Sequence, residues 1–294
     1  VTWERHSLGG RPLFVWAPED RSRTYPTVYV LHAHMRSAEW WFNVEPFTAS
    51  YPDRIEAMAP NAVVVLPDGW TELGGGQWIG PLSGYLRDEV VPFVDERYPT
   101  NGMRGLQGKS SGGYGAIVHA LERPDLFHAF AAHAPDALFE VTLAHSFAPA
   151  ARALRDRTLA EFWSSFEGLR SQADAAVVEV AAVADAFGDG TLPFDDVGRV
   201  DFERFEQWLT HDPVRLAPQH ADAVRSLRGA WLDAGTRDDY FFDLGALALR
   251  DALLAAGLPQ ERFHFELFDG THRGLAERYP LSLAFLVEIL SITF

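Results

Sequence analysis

Gly108-Lys109-Ser110-Ser111-Gly112-Gly113 sets a serine among small residues, where a short apolar run, Met103–Gln107, gives way to a helical pattern, Tyr114–Leu121, that stops before Pro124. Two readings compete. As G-x-S-x-G the stretch is a nucleophile elbow, a tight strand-to-helix turn that lifts a serine hydroxyl clear of the sheet edge. As G-K-S it would end a phosphate-cradling loop, but that motif needs a glycine where this chain has Met103, and Gly102 and Gly105 are both out of register. A displaced glycine cannot supply the same ring of N–H groups, so nucleotide binding becomes the minor reading. The elbow reading gives Gly112 and Gly113 a steric purpose, because a side chain there would collide with the strand as the chain reverses.

Outward from the elbow, strand-like apolar runs recur at Pro12–Ala17, Thr27–His32, Ala62–Leu66, Arg104–Gly108, Ala129–Ala134, Gly229–Ala234 and Arg262–Phe268. Helical patterns lie between them. Leu82–Tyr98 sets Leu86, Val90, Val91, Phe93 and Val94 on one side and acids on the other, and Leu244–Ala256 and Ser282–Leu290 behave similarly. The alternation predicts an α/β fold with a mainly parallel central sheet covered by helices on both faces, and it puts the elbow at the carboxyl ends of the strands. Residues 139–219 break the rhythm with a long, alanine-rich, helix-forming stretch interrupted at Gly188-Asp189-Gly190 and Pro193. With no linker on either side, it reads as a helical cap insertion within a single domain spanning 1–294. Its aromatic residues, Phe162, Trp163, Phe166, Phe194, Phe202, Phe205 and Trp208, are expected mostly to pack the cap onto the body.

Composition narrows the function. The 294 residues are 47% apolar, enough for a substantial core, and they contain no cysteine, which excludes disulfides, thiolate metal sites and cysteine nucleophiles. A net charge of −16 opposes a phosphate-backbone partner, so nucleic acid is not expected. There is no apolar run of about 18 residues to cross a membrane, and Val1-Thr2-Trp3-Glu4-Arg5 carries no signal-peptide core. The lean is to the cytoplasm, with secretion after removal of a leader as the alternative, and oligomeric state does not follow. Lys109 is the only lysine of the chain and directly precedes the candidate nucleophile. A bias toward arginine explains its rarity but not its location.

A serine hydroxyl needs a base within reach, itself oriented by an acid. Two later loops meet that demand. Trp231–Gly235 empties into Thr236-Arg237-Asp238-Asp239-Tyr240, and Phe263–Phe268 empties into Asp269-Gly270-Thr271-His272-Arg273-Gly274. His272 is therefore the candidate base and Asp238 the candidate acid, in the chain order Ser, Asp, His. Asp239 is expected to point elsewhere and to cap the following helix, and Asp233, within the strand, to anchor the loop through backbone N–H groups. The oxyanion hole needs two backbone N–H groups, one from Ser111 and the other from the loop after Val28–His32. His32-x-His34 invites a metal reading but lacks a third ligand, so no metal and no cofactor are expected.

The set Leu31-His32-Ala33-His34 with Ser37 and Trp40-Trp41, Leu66-Pro67-Asp68-Gly69, Gly108–Ala116, Asp212-Pro213, Gly235–Tyr240 and Gly270-Thr271-His272 resembles the putative-esterase family. That family contains esterase D (S-formylglutathione hydrolase), feruloyl and acetylxylan esterases, enterochelin esterases and the antigen 85 mycolyltransferases. The resemblance runs from about Thr27 to Leu286 and implies an α/β-hydrolase. It implies a triad of Ser110, Asp238 and His272, with an oxyanion hole from the N–H groups of Ser111 and His34. Two departures stand out. Ala33 replaces a common glycine, and the tryptophan that often follows the catalytic histidine is missing after Gly274. Trp40, Trp41, Phe42, Trp70 and Trp78 lie on loops expected at the same edge, an aromatic wall for an apolar or aromatic group of a small-molecule ester. The leading function is a serine carboxylic-ester hydrolase. An acyltransferase with the same triad is the alternative within the fold, and a non-catalytic or nucleotide-binding protein is the alternative outside it.

Overall fold

A computed structural model of the protein describes residues 3–43 and 47–292. Its eight strands are β1 (Glu4–Leu8), β2 (Arg11–Trp16), β3 (Tyr25–Leu31), β4 (Val63–Pro67), β5 (Thr100–Lys109), β6 (Ala129–His133), β7 (Gly229–Gly235) and β8 (Phe263–Phe268). They form one sheet in the order β1-β2-β4-β3-β5-β6-β7-β8. From β4 to β8 every pairing is parallel, whereas β1 and β2 are antiparallel additions at one edge. Strands β3, β4, β6 and β7 are buried along their whole length, which is why they read as continuous apolar runs rather than as alternating ones.

Side chains leave the two faces of the sheet alternately and build two cores. Leu13, Val15, Tyr29, Leu106, Phe130 and Leu232 meet Leu86, Val90 and Val94, Ile117 and Leu121, and Leu249 and Leu253, from three different helices. On the opposite face Trp16, Val28, Val30, Val64, Ala131 and Trp231 meet Ile55 and Leu283, Leu286 and Leu290. Helices over both faces are thus the expected α/β arrangement.

Three elements depart from the expectation. β1 was not among the predicted strands because it is a polar, largely exposed edge strand with little apolar patterning. Its signal was the hairpin turn, Gly9 and Gly10, both with positive φ. β5 starts earlier than expected, at Thr100, with a register irregularity against β3 between Tyr25 and Thr27. The helix expected over Leu82–Tyr98 is interrupted by a π-helical stretch, Tyr85–Val90, between α-helical Pro81–Gly84 and Val91–Arg97.

Between β6 and β7 lie the helices Phe139–Thr142, Phe147–Leu154, Leu159–Ser164, Gln172–Phe187, Phe202–Leu209 and Pro213–Gln219, among shorter turns. Phe139, Phe147, Phe162, Phe187, Phe205 and Trp208 gather into a third apolar cluster, which reaches the body through Tyr114 and Val118. Phe202 does not join them and stands exposed. Asp212 ties the segment shut, accepting the N–H groups of Leu138 at 3.1 Å and Phe139 at 2.7 Å at its start and of Val214 at 2.9 Å at its end. No helix among the described residues is long and apolar enough to cross a membrane.

Candidate active site

Ser110 sits at φ 55° and ψ −126°, between β5 and the helix Ser111–Glu122. This is a backbone region that a side chain rarely adopts, and it is held by close contacts on both sides. A Cβ on Gly108 would lie 2.3 Å from the backbone of Gly112, and one on Gly112 would lie 2.2 Å from the carbonyl oxygen of Leu31. Only glycine lets β5, the elbow and β3 approach this closely. Hydrogen bonds from Ser110 N–H to the His133 carbonyl, 3.0 Å, and from Tyr114 N–H to the Ser110 carbonyl, 2.8 Å, fix the turn on either side.

His272 and Asp238 reach the same edge on the loops after β8 and β7. These loops are laced together by the Arg237 N–H on the Gly270 carbonyl, 2.8 Å, and the Thr236 N–H on the Phe268 carbonyl, 2.9 Å. Buried Asp238 accepts the Tyr240 N–H at 2.9 Å through one oxygen and Nδ1–H of His272 at 2.9 Å through the other. With Nδ1 donating, Nε2 of His272 is left as the acceptor. Burial pulls the pKa of His272 below its ordinary value, the hydrogen bond to Asp238 opposes that, and nearby Lys109 adds to the lowering. The imidazole is therefore neutral near pH 7, as a base must be. Tyr240 and Phe242 pack edge-on against its ring, with centroids at 4.9 and 5.1 Å.

The Ser110 hydroxyl donates to Asp136 Oδ1 at 3.3 Å, its one hydrogen bond among the described residues. Asp136 escaped the sequence reading, although its position just beyond β6 obeys the same strand-end rule that located Asp238 and His272. Burial pushes its carboxyl up to about 7, against hydrogen bonds from Gln77 and Ser110. Glu179, from the helix Gln172–Phe187, accepts the Ser146 hydroxyl at 2.6 Å and is pushed up to about 8 by burial, with Asp136 contributing. The β6–β7 segment thus brings a second carboxyl toward the serine.

The remaining predicted residues fall into distinct places. The N–H groups of Ser111 and His34 have no protein acceptor among the described residues. His32 is buried, donates Nδ1–H to the Ala33 carbonyl at 3.0 Å and accepts the Gly69 N–H on Nε2 at 2.8 Å, while His34 Nε2–H donates to the Leu73 carbonyl at 2.9 Å. Both histidines brace loops. Asp239 does not cap the next helix, which starts at Phe242 with Phe241 at the cap position and no side-chain cap. Asp233 anchors through side chains rather than backbone N–H groups, binding His133 at 2.8 Å, Trp231 Nε1 at 2.7 Å and Arg278 Nε at 2.7 Å.

The four tryptophans divide evenly. Trp40 and Trp70 are 41% and 47% exposed and line a cleft of about 390 Å³ with Met35, Arg36 and Ser37. None of the triad candidates lines this cleft. Trp41 and Trp78 are buried: Trp41 packs on Tyr51 and Tyr279, and Trp78 donates Nε1–H to the His32 carbonyl at 3.0 Å. These two belong to the core, not to an open wall.

Comparison with known proteins agrees with this architecture. Among solved structures, a ferulic acid esterase superposes with a TM-score of 0.60 at 16% identity, covering 99% of this chain and 98% of its own. MPT51 of Mycobacterium tuberculosis gives 0.59 at 15% identity, covering 99% of both chains. An S-formylglutathione hydrolase from Staphylococcus aureus gives 0.57 at 16%, covering 99% and 98%. At such identities the likeness establishes the fold, an α/β-hydrolase over the whole chain. The family follows from sequence: the profile described as "Putative esterase" matches residues 7–273, and the chain belongs to that esterase family.

Proposed function

We propose that the protein is a serine hydrolase of carboxylic esters that works through an acyl-enzyme on Ser110. The observation that carries this reading is the 2.9 Å bond between His272 and Asp238, made by two strand-end loops at the edge that holds the elbow serine. Rotation about Cα–Cβ of Ser110 takes the hydroxyl from Asp136 to Nε2 of His272, which removes the proton as Oγ attacks the ester carbonyl. Asp238 holds the tautomer and stabilises the imidazolium. The unengaged N–H groups of Ser111 and His34 receive the oxyanion, a contribution of about 10²–10³ in kcat per donor. His272 then protonates the departing alkoxide, and water, activated by the same imidazole, releases the acid. Trp40 and Trp70 offer an apolar surface to one half of a small-molecule ester, at about 0.8 kcal/mol per methylene buried.

A fluorophosphonate probe tests the reading, applied to the wild-type chain and to Ser110→Ala alongside a panel of p-nitrophenyl and aryl esters. The expected result is labelling and turnover by the wild type and neither by the variant. A folded wild type that takes no label and cleaves no ester overturns the assignment, and labelling that persists in Ser110→Ala moves the nucleophile elsewhere.

A further inference from the structure

Three cations meet at the edge that carries Ser110, each from a different loop. Lys109 ends β5 and directly precedes Ser110, Arg36 lies on the loop after β3, and Arg273 directly follows His272. Each lies within electrostatic reach of the other two: Lys109 feels Arg36 and Arg273, and Arg36 feels Arg273. Lys109 also acts on His272, and Arg273 follows His272 in the chain, so these two belong to the edge that carries the candidate site.

None of the three makes an ion pair within 4.0 Å among the described residues. Most of the other arginines pair with carboxylates, as Arg54 does with Glu277, Arg87 with Glu122 and Arg278 with Asp233, and among the described residues Arg23, Arg97, Arg152 and Arg155 are exposed or stacked exceptions without an ion pair within 4.0 Å. With 41 acids to 25 bases, unpaired cations gathered in one place run against the composition. Two of the nearby acids are already engaged, while Asp239, which acts on His272, makes no ion pair within 4.0 Å among the described residues. Glu39 is bound by Arg5, and Asp238, the carboxylate that Lys109 feels, is committed to His272 and the Tyr240 N–H. Arg36 bonds the Met35 carbonyl at 2.9 Å and lies 5.1 Å over the ring of Trp40, which leaves the rest of its guanidinium fork open.

Like charges brought together and partly buried cost free energy that a bound anion offsets. Burial pushes the ammonium of Lys109 down to about 8, with Asp238 opposing the shift and the two arginines adding to it.

We infer that the ester taken by this site bears a carboxylate or phosphate group that is held among Lys109, Arg36 and Arg273. The inference rests on the esterase reading above and adds the charge of the substrate to it. Lys109 supplies a point charge next to the nucleophile, and the two arginines supply planar forks suited to two-oxygen groups.

Matched esters test this with intact protein. p-Nitrophenyl hemisuccinate against p-nitrophenyl butyrate places the charge in the acyl half. 3-Carboxyphenyl acetate and 3-phosphonooxyphenyl acetate against phenyl acetate place it in the leaving group and separate carboxylate from phosphate. In one half, kcat/KM for the anionic ester is expected to exceed that of its neutral partner by about tenfold, and the ratio to shrink severalfold between about 50 and 500 mM KCl. Lys109→Met, and separately the exposed pair Arg36→Gln with Arg273→Gln, should each lower that ratio by about five- to tenfold. The arginine pair keeps the test valid if the lysine variant does not fold. Equal or neutral-favouring rates in both halves, or a preference that the variants leave intact, overturn the inference. Fluorophosphonate labelling of Ser110 without anion preference removes this inference alone, whereas no labelling and no turnover removes the esterase reading with it.

Discussion

Among the described residues there are two Asp–His–Ser constellations, of which one stands on the loops at the strand ends. Asp238 and His272, bonded at 2.9 Å, sit on loops beside the elbow serine. Asp233 and His133 are bonded at 2.8 Å, and His133 Nε2 lies 2.8 Å from the hydroxyl of Ser282, with His133, Asp233 and Ser282 each 0% exposed. By hydrogen bonds alone the buried set looks the more complete triad, since Ser110 in its present rotamer points to Asp136. What separates the two is backbone. Ser110 is held in a strained turn at a sheet edge with unengaged N–H groups alongside, while Ser282 lies inside the helix Arg278–Ser291, where its hydroxyl also donates to the Tyr279 carbonyl. The buried set ties β6, β7 and the last helix together, and Arg278 and Trp231 complete the shell around Asp233. Nucleophilic chemistry needs access and a place for developing charge, not merely the right three side chains.

The contrast can be broken by exchanging the effects of matched substitutions. His272→Gln should lower kcat/KM by about 10⁴ or more while leaving the melting temperature nearly unchanged. His133→Gln should instead cost about 1–3 kcal/mol of stability by breaking the buried hydrogen bonds to Asp233 and Ser282, while Arg278 and Trp231 still hold the Asp233 carboxylate, with kcat retained by the molecules still folded. Thermal melts and initial rates on the same samples check both, and a reversed outcome would make the buried set the catalytic one.

A smaller effect sharpens the comparison through pH. Because burial holds the pKa of His272 below the ordinary histidine value of 6.5, kcat/KM should rise with pH with its midpoint below 6.5. The pH–rate profile checks this, and a midpoint above 6.5 would contradict it.

The smallest effect concerns the buried carboxyls of Asp136 and Glu179. Asp136 has a folded pKa of about 7, raised above its ordinary 3.8, and Glu179 one of about 8, raised above 4.5. Between the unfolded and folded values the native state holds a proton that the unfolded chain has lost, so stability falls as pH rises from near 4 to near 8. Asp136→Asn and Glu179→Gln should therefore raise the melting temperature at pH 8 by a few degrees, about 2–4 °C per kcal/mol, and change it little at pH 4. A gain independent of pH would assign the effect to packing.

Much of this arrangement was legible in the sequence, and the exceptions share a cause. The elbow announced itself through glycines within five residues of one another, and Asp238 and His272 through short loops after recognisable strands. Asp233 was visible as a strand aspartate, but its partner His133 lies 100 residues away, and no local pattern joins them. Glu179 looked like an ordinary polar position in an alanine-rich helix, and only the folding of that helix over the sheet brings it near Asp136. Trp41 and Trp78 looked like loop aromatics of the same kind as Trp40 and Trp70, since burial of a loop side chain depends on what packs above it. β1 was missed because an edge strand needs no apolar face to pair.

Lys109 carries one more consequence. The chain has a single ε-amine, and it stands one residue from the proposed nucleophile, with a pKa pushed down to about 8 that leaves a substantial unprotonated fraction in mildly alkaline buffer. An acylating dye or an aldehyde resin therefore finds one internal target, apart from the terminal α-amine, and that target is the mouth of the site. Chemistry that on most proteins scatters over the surface would here report on, or block, the approach to Ser110.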